Sequence, residues 1–104
     1  MRFGDVTVDL AATLITRAGQ PVHLTPTEWR LLEVLVTNPD RLMTRGMLLT
    51  DVWGPLHGND SGYLRLYMAQ LRRKLEPDPG HPRYLVTESG MGYRFSPAGI
   101  TPGN

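Results

Sequence analysis

The sequence predicts an α+β fold in which a small N-terminal antiparallel sheet precedes three helices and a C-terminal β-hairpin. Three observations predict it. Leu64, Met68, Leu71 and Leu75 recur at spacings of four, three and four, one apolar stripe at helical period. Thr25-Pro26-Thr27-Glu28 joins a capping threonine, a proline at the first helical position and a glutamate three residues past the cap. Residues 84–87 and 93–95 are β-rich runs that frame Glu88-Ser89-Gly90-Met91-Gly92, the pattern of a hairpin.

A chain of 104 residues fits one domain and can bury a core without disulfides or a metal. It has no cysteine, which excludes disulfides, thiolate metal sites and cysteine nucleophiles and is compatible with the cytoplasm. No apolar run approaches a membrane span, and MRFGDVTVD lacks a signal pattern, so no membrane partner is expected. The net charge is only +1, but it is unevenly spread. Residues 1–60 carry five Lys/Arg against seven Asp/Glu, and residues 61–104 carry six against three. A nucleic-acid footprint has this form, with the positive charge gathered on one element.

The elements follow in order. Val6, Val8 and Leu10 alternate with polar residues, as in a half-buried strand. Leu14-Ile15-Thr16 is a second strand, Ala18-Gly19-Gln20 a turn, and Val22-His23-Leu24 a third strand with His23 facing solvent or a polar rim. The first helix starts at Thr25 and ends at Asn38-Pro39. It is apolar on most sides, so it is the expected central core helix, with Trp29 in the core. Leu42-Met43 is a short extended link. Thr44 caps a second helix over residues 45–53, with Met47, Leu48, Leu49 and Val52 toward the core and Gly54-Pro55 ending it. Residues 60–76 form the third helix, capped by Asp60 or Ser61 and stopped by Pro77. The Pro/Gly-rich tail, residues 98–104, is expected to fray.

At 100° per residue from Leu64, the side opposite the stripe holds Gly62, Leu66, Ala69, Gln70 and Arg73, flanked by Arg65, Arg72 and Lys74. That face has no acid, small side chains, an amide and guanidinium groups. It suits a DNA major groove, where small residues allow close approach and Arg or Gln read base edges. A solvated basic helix face is the plainer alternative. Enzymatic chemistry has no support. His23, His57 and His81 lie in separate segments, so no metal site is expected. Ser89 has no base and orienting acid beside it, so no catalytic residue is expected. Glu76 and Asp78 are expected to be solvated loop charges, and no cofactor is implied.

Three helices followed by a hairpin make a winged helix-turn-helix, in which the third helix takes the major groove and the hairpin is the wing. LTPTEWRLLEVL, LLTDVWG, YLRLYMAQLRRKLE and ESGMGYRF, in that order and spacing, resemble the effector domain of OmpR/PhoB-type response regulators over roughly residues 1–97. The third-helix text and the following DPGHPRYLVTESGMGYRF look most like the KdpE branch, which controls transcription of a high-affinity potassium transporter.

The resemblance implies several roles. Arg65, Leu66, Ala69, Gln70 and Arg73 would face bases. Arg45, Trp53, Tyr67 and Arg72 would lie near phosphates, Trp53 through its indole N–H. Thr87, Ser89 and Gly90 match the wing. Many relatives have arginine where this chain has Ser89, so weak minor-groove reading is expected. The link Gly54, Pro55, Leu56, His57, Gly58 and Asn59, longer than a simple helix-turn-helix turn, would face RNA polymerase. The usual N-terminal receiver domain is not expected within a chain of this length. The isolated domain is expected to be a monomer that binds repeated half-sites on double-stranded DNA. The alternative is a winged helix that acts as a protein-interaction module contacting RNA polymerase or another protein.

Overall fold

The structure is a computed structural model and describes residues 1–54 and 61–100. The expected polymerase-facing residues Pro55, Leu56, His57, Gly58 and Asn59, and Asp60, one of the two expected caps of the third helix, lie outside what it describes.

The N-terminal sheet has four antiparallel strands in sequential order: β1 (Arg2–Phe3), β2 (Val6–Asp9), β3 (Leu14–Arg17) and β4 (Gln20–Pro21). Val6 and Val8 are buried while Thr7 and Asp9 are exposed, the expected alternation. Two details differ from the sequence expectation. β1 is an additional strand, too short to show a period. The strand expected at Val22-His23-Leu24 lies earlier, at Gln20–Pro21. Ala18 and Gly19 both have positive φ (51° and 78°), so a two-residue turn pairs Arg17 with Gln20 and sets the register. Pro21 lacks an amide hydrogen and sits on the edge strand, where none is needed. His23 is exposed, as expected. Phe3 carries the sheet into the core, with its ring centroid 4.9 Å from Phe95 and 5.4 Å from Tyr84.

Helix α1 (Pro26–Val36) opens with the predicted capping box. The Thr25 Oγ1 accepts from the Glu28 amide at 3.3 Å, and Glu28 Oε1 accepts from the Thr25 amide at 2.8 Å. Leu31, Leu32, Leu35 and Val36 are buried, and Trp29 is half-buried against the core. Helix α2 (Arg45–Trp53) is capped by Thr44, whose hydroxyl accepts from the Met47 amide at 3.2 Å. Leu48 and Leu49 are buried and Val52 is partly so, but Met47, expected in the core, is exposed. Helix α3 (Ser61–Leu75) buries Leu64, Met68, Leu71 and Leu75 completely or nearly so. Each such side chain contributes about 1.5–3 kcal/mol of apolar burial. Helix α1 packs against both α2 and α3.

The wing is broader than a hairpin. Strand β5 (Leu42–Thr44) joins β6 (Leu85–Glu88) and β7 (Gly92–Phe95) in the order β5-β7-β6, all antiparallel. The expected extended link at Leu42-Met43 is thus a strand. Gly92 faces Thr44 in this register, and a Cβ there would collide with the Met43 carbonyl. Its glycine is required by the close approach of two backbones. The fold is a winged helix-turn-helix. Gly99 and Ile100, inside the expected tail, are held back to the body. The Gly99 amide donates to the Ser96 carbonyl at 3.0 Å, and the Ile100 amide to that of Arg83 at 2.9 Å.

One ion pair ties the first helix to the third. Lys74 Nζ lies 2.6 Å from Glu28 Oε1, and the Glu28 side chain is almost wholly buried. Burial alone would raise the Glu28 pKa. Hydrogen bonds from Lys74 and Thr25, with the Lys74 charge, outweigh it and hold the carboxyl below its ordinary value. A carboxylate with a depressed folded pKa stabilises the fold above its unfolded pKa, and that contribution is lost as pH falls through the folded value. We expect urea midpoints to fall as pH drops from about 6 to about 3, and Glu28→Gln to be less stable near neutrality with a shallower pH dependence. Identical pH slopes for the two proteins would contradict a role for this pair.

Candidate nucleic-acid interface

The buried stripe of α3 fixes which side faces outward. Arg65, Leu66, Ala69 and Arg73 are exposed, and Gln70 is half-buried, so the five expected base-facing residues share the outward side. Helix α3 contains no carboxylate. Tyr63 is 56% exposed and Leu66 49%, giving this side two large apolar groups. Tyr63 was not singled out from the sequence. Its position one helical turn before Leu66 and two before Gln70 was the available signal.

The expected flanking cations behave differently from one another. Lys74 is not free: its ammonium is held by Glu28 and by the His23 carbonyl at 2.9 Å. Arg72 is half-buried. Its Nε donates to the Leu85 carbonyl at 2.9 Å, and its Nη2 to the Thr87 hydroxyl at 2.7 Å. Its guanidinium carbon lies 5.6 Å from the centroid of the Tyr93 ring. Burial lowers the Arg72 pKa, opposed by Tyr93 and Glu76, and an arginine so placed stays charged. Arg72 therefore joins α3 to the wing while holding a positive charge at their junction.

Arg45, the first residue of α2, is exposed and donates from Nη2 to the Gly90 carbonyl at 3.2 Å. Trp53 and Tyr67 are half-buried, with ring centroids 5.5 Å apart and planes at 49°. They fasten the end of α2 to α3. On the wing, Thr87, Ser89 and Gly90 are all exposed, and Gly90 has φ 76° at the tip. Between α2, α3 and the wing lies a cleft of about 250 Å³ lined by Arg45, Arg65, Arg72, Thr87, Glu88, Gly90, Gly92 and Tyr93. Three guanidinium groups around one concavity favour a bound phosphate, and the fork geometry of arginine suits its oxygens.

The wing is held against α3 by a group that the sequence expectation misplaced. Glu76 is not a solvated loop charge. It is 1% exposed. Its Oε1 accepts from the Arg83 amide at 2.8 Å, and its Oε2 accepts from the amides of Tyr84 and Leu85 at 3.0 and 2.7 Å. The chain turns back after α3, and those three amides, that of Leu85 buried and the other two partly so, need acceptors there. The helix stop at Pro77 and the surrounding polar loop concealed this role. Asp78 is exposed, as expected.

Comparison with known proteins gives the family and the fold. The family model described as transcriptional regulatory protein, C terminal, matches residues 19–95. The chain is 60% identical over 89 residues to the transcriptional regulatory protein KdpE of Mycobacterium tuberculosis, covering 86% of this chain and 39% of that protein. It is 55% identical over 95 residues to the KDP operon transcriptional regulatory protein KdpE of Escherichia coli, covering 91% of this chain and 42% of that protein. The chain thus spans about two fifths of the length of these curated relatives. Among solved structures, it superposes on the Thermotoga maritima response regulator DrrB, an OmpR/PhoB homolog, with TM-score 0.82 and 30% identity, covering 92% of this chain and 43% of that one. It superposes on the Klebsiella pneumoniae RstA DNA-binding domain, solved in complex with the RstA box, with TM-score 0.81 and 28% identity, covering 93% and 96%.

Removing the Glu76 carboxylate deprives three backbone amides of their acceptor, that of Leu85 buried and those of Arg83 and Tyr84 partly buried. Glu76→Ala is expected to lower unfolding free energy by about 3 kcal/mol in chemical denaturation, given the cost of unsatisfied buried donors. It should also speed hydrogen exchange at the amides of residues 83–85. A loss under about 0.5 kcal/mol, within the range of ordinary surface changes, would contradict the anchoring role.

Proposed function

The chain belongs to the OmpR/PhoB-type family of transcriptional regulatory protein C-terminal domains, and we propose that it is the sequence-specific DNA-binding effector domain of a two-component response regulator. One observation carries this reading. The outward side of α3, free of carboxylates, adjoins an arginine-lined cleft whose far wall is the wing.

Helix α3 enters the major groove. Arg65, Gln70 and Arg73 offer donors to base edges, Leu66 can meet a thymine methyl, and Ala69 lets the helix approach closely. Arg45, Trp53, Tyr67 and Arg72 stand toward the phosphate backbone and set register, since phosphate contacts position a protein without specifying sequence. Arg72 acts there through its charge and its remaining guanidinium nitrogen. Thr87, Ser89 and Gly90 approach the adjacent minor groove, with limited minor-groove reading because Ser89 carries no charge.

The functional setting follows from the same reading. Two copies occupy repeated half-sites about one helical turn apart, while the domain alone is a monomer. The link over residues 54–59 contacts RNA polymerase. Similarity to the KdpE proteins favours an operon for potassium transport as the regulated target, in the cytoplasm, with no enzymatic step.

The direct test is selection from a random duplex library, followed by binding of the enriched duplex at two salt concentrations. We expect an enriched repeated motif and affinity that falls steeply with salt. Arg65→Ala should weaken the selected duplex by about 1–3 kcal/mol and relax choice at one base pair. Arg45→Ala should instead weaken selected and random duplexes alike and reduce the salt slope. No enrichment and no salt-sensitive binding would favour a protein-interaction module instead. Equal losses on selected and random duplex for Arg65→Ala would remove it from the base-reading set.

A further inference from the structure

The arginine-lined cleft contains one residue of the wrong sign. Glu88, the last residue of β6, lines it beside Arg45, Arg65 and Arg72. An uncompensated carboxylate there would repel an incoming phosphate. Arg94, on the neighbouring strand β7, meets it: Nε of Arg94 lies 2.9 Å from Glu88 Oε1. The two side chains are 36% and 31% exposed. Arg94 is held from behind as well. Its Nη1 donates to the Asp40 carbonyl at 2.8 Å, and Asp40, at φ 60°, donates its own amide to the Phe95 carbonyl at 2.7 Å. The guanidinium is thus placed by the turn before β5 and presented to the glutamate.

We propose that Arg94 is a positioning residue for phosphate binding, which neutralises Glu88 so that the cleft receives a backbone phosphate. The proposal rests on the DNA-binding reading above and assigns a role in it to two residues outside the expected interface. The competing role is structural. Val86 faces Arg94 and Glu88 faces Gly92, so Arg94 and Glu88 are diagonal cross-strand partners that add a little to sheet stability. The two roles differ in sign. If the pair only braces the sheet, removing either partner acts in the same direction. If Arg94 neutralises Glu88, removing the arginine weakens binding, removing the glutamate does not, and removing both restores it.

The test compares four proteins: wild type, Arg94→Gln, Glu88→Gln and the double variant, with thermal melting to verify folding. Arg94→Gln is expected to bind selected and random duplexes about fivefold more weakly at low salt, a loss that shrinks as salt screens the exposed carboxylate. Glu88→Gln should bind as tightly as wild type or more so, and the double variant should return to within about twofold of it. A double variant as weak as Arg94→Gln, or an Arg94→Gln protein that binds like wild type, overturns the proposal. Inorganic pyrophosphate, followed at the arginine Nε–H NMR signals, supplies an arm independent of DNA. If wild type bound no duplex, the DNA reading would fall. The same weakening and rescue toward pyrophosphate would still support the charge-neutralising role, and equal pyrophosphate affinity in all four proteins would reject it.

Discussion

A single buried carboxylate sets the relation between helix and wing. Glu76 follows α3 directly and accepts three backbone N–H groups from residues 83–85, the start of the wing. Bonds to a charged acceptor are stronger than neutral ones, and three on one carboxylate fix its direction. Arg72, one turn earlier on α3, adds bonds to the Leu85 carbonyl and the Thr87 hydroxyl. Donor and acceptor groups at the start of the wing are therefore held by Arg72 of α3 and by Glu76 just beyond its end. The outward face of α3 cannot shift without moving the wing, so the cleft between them is formed in advance.

The charges of the second half divide by partner. Lys74 is bound to a buried glutamate, Arg94 to Glu88, and Arg72 to the wing backbone. Arg65 and Arg73 are exposed on the outward face. A net charge of +1 thus understates the local field, because Lys74 and Arg94 are matched by carboxylates inside the fold while Arg65 and Arg73 stand on a helix that contains no carboxylate. Binding at such a surface costs less reordering when the supporting arginine is already positioned.

Local chemistry was legible in the sequence where the interaction is local. The capping box at Thr25 and Glu28, the cap at Thr44, and the α3 stripe are each set by residues within a few positions of each other. The outward side of α3 followed directly from that stripe. Long-range partners were not legible. Glu28 showed its capping role but not its pairing with Lys74, 46 residues away. Glu76 read as a loop charge because its acceptor role depends on amides brought back by the turn. Strand β1 has two residues and β5 three, too few for periodicity to declare them. Met47 fits an apolar pattern yet is exposed, and Leu48, Leu49 and the partly buried Val52 carry the contact of α2 with the core.

The most direct test of the central claim is an amide NMR footprint of the protein with a selected duplex. If α3 and the wing act as one preformed surface, shifts should concentrate at residues 62–73, at Thr44 and Arg45, and at residues 87–91, while slow exchange at the amides of residues 83–85 is already present in the free protein. Largest shifts in the groove between the N-terminal sheet and α1, lined by Ile15, Val22 and Trp29, would contradict the account. So would wing amides that exchange freely until DNA is added.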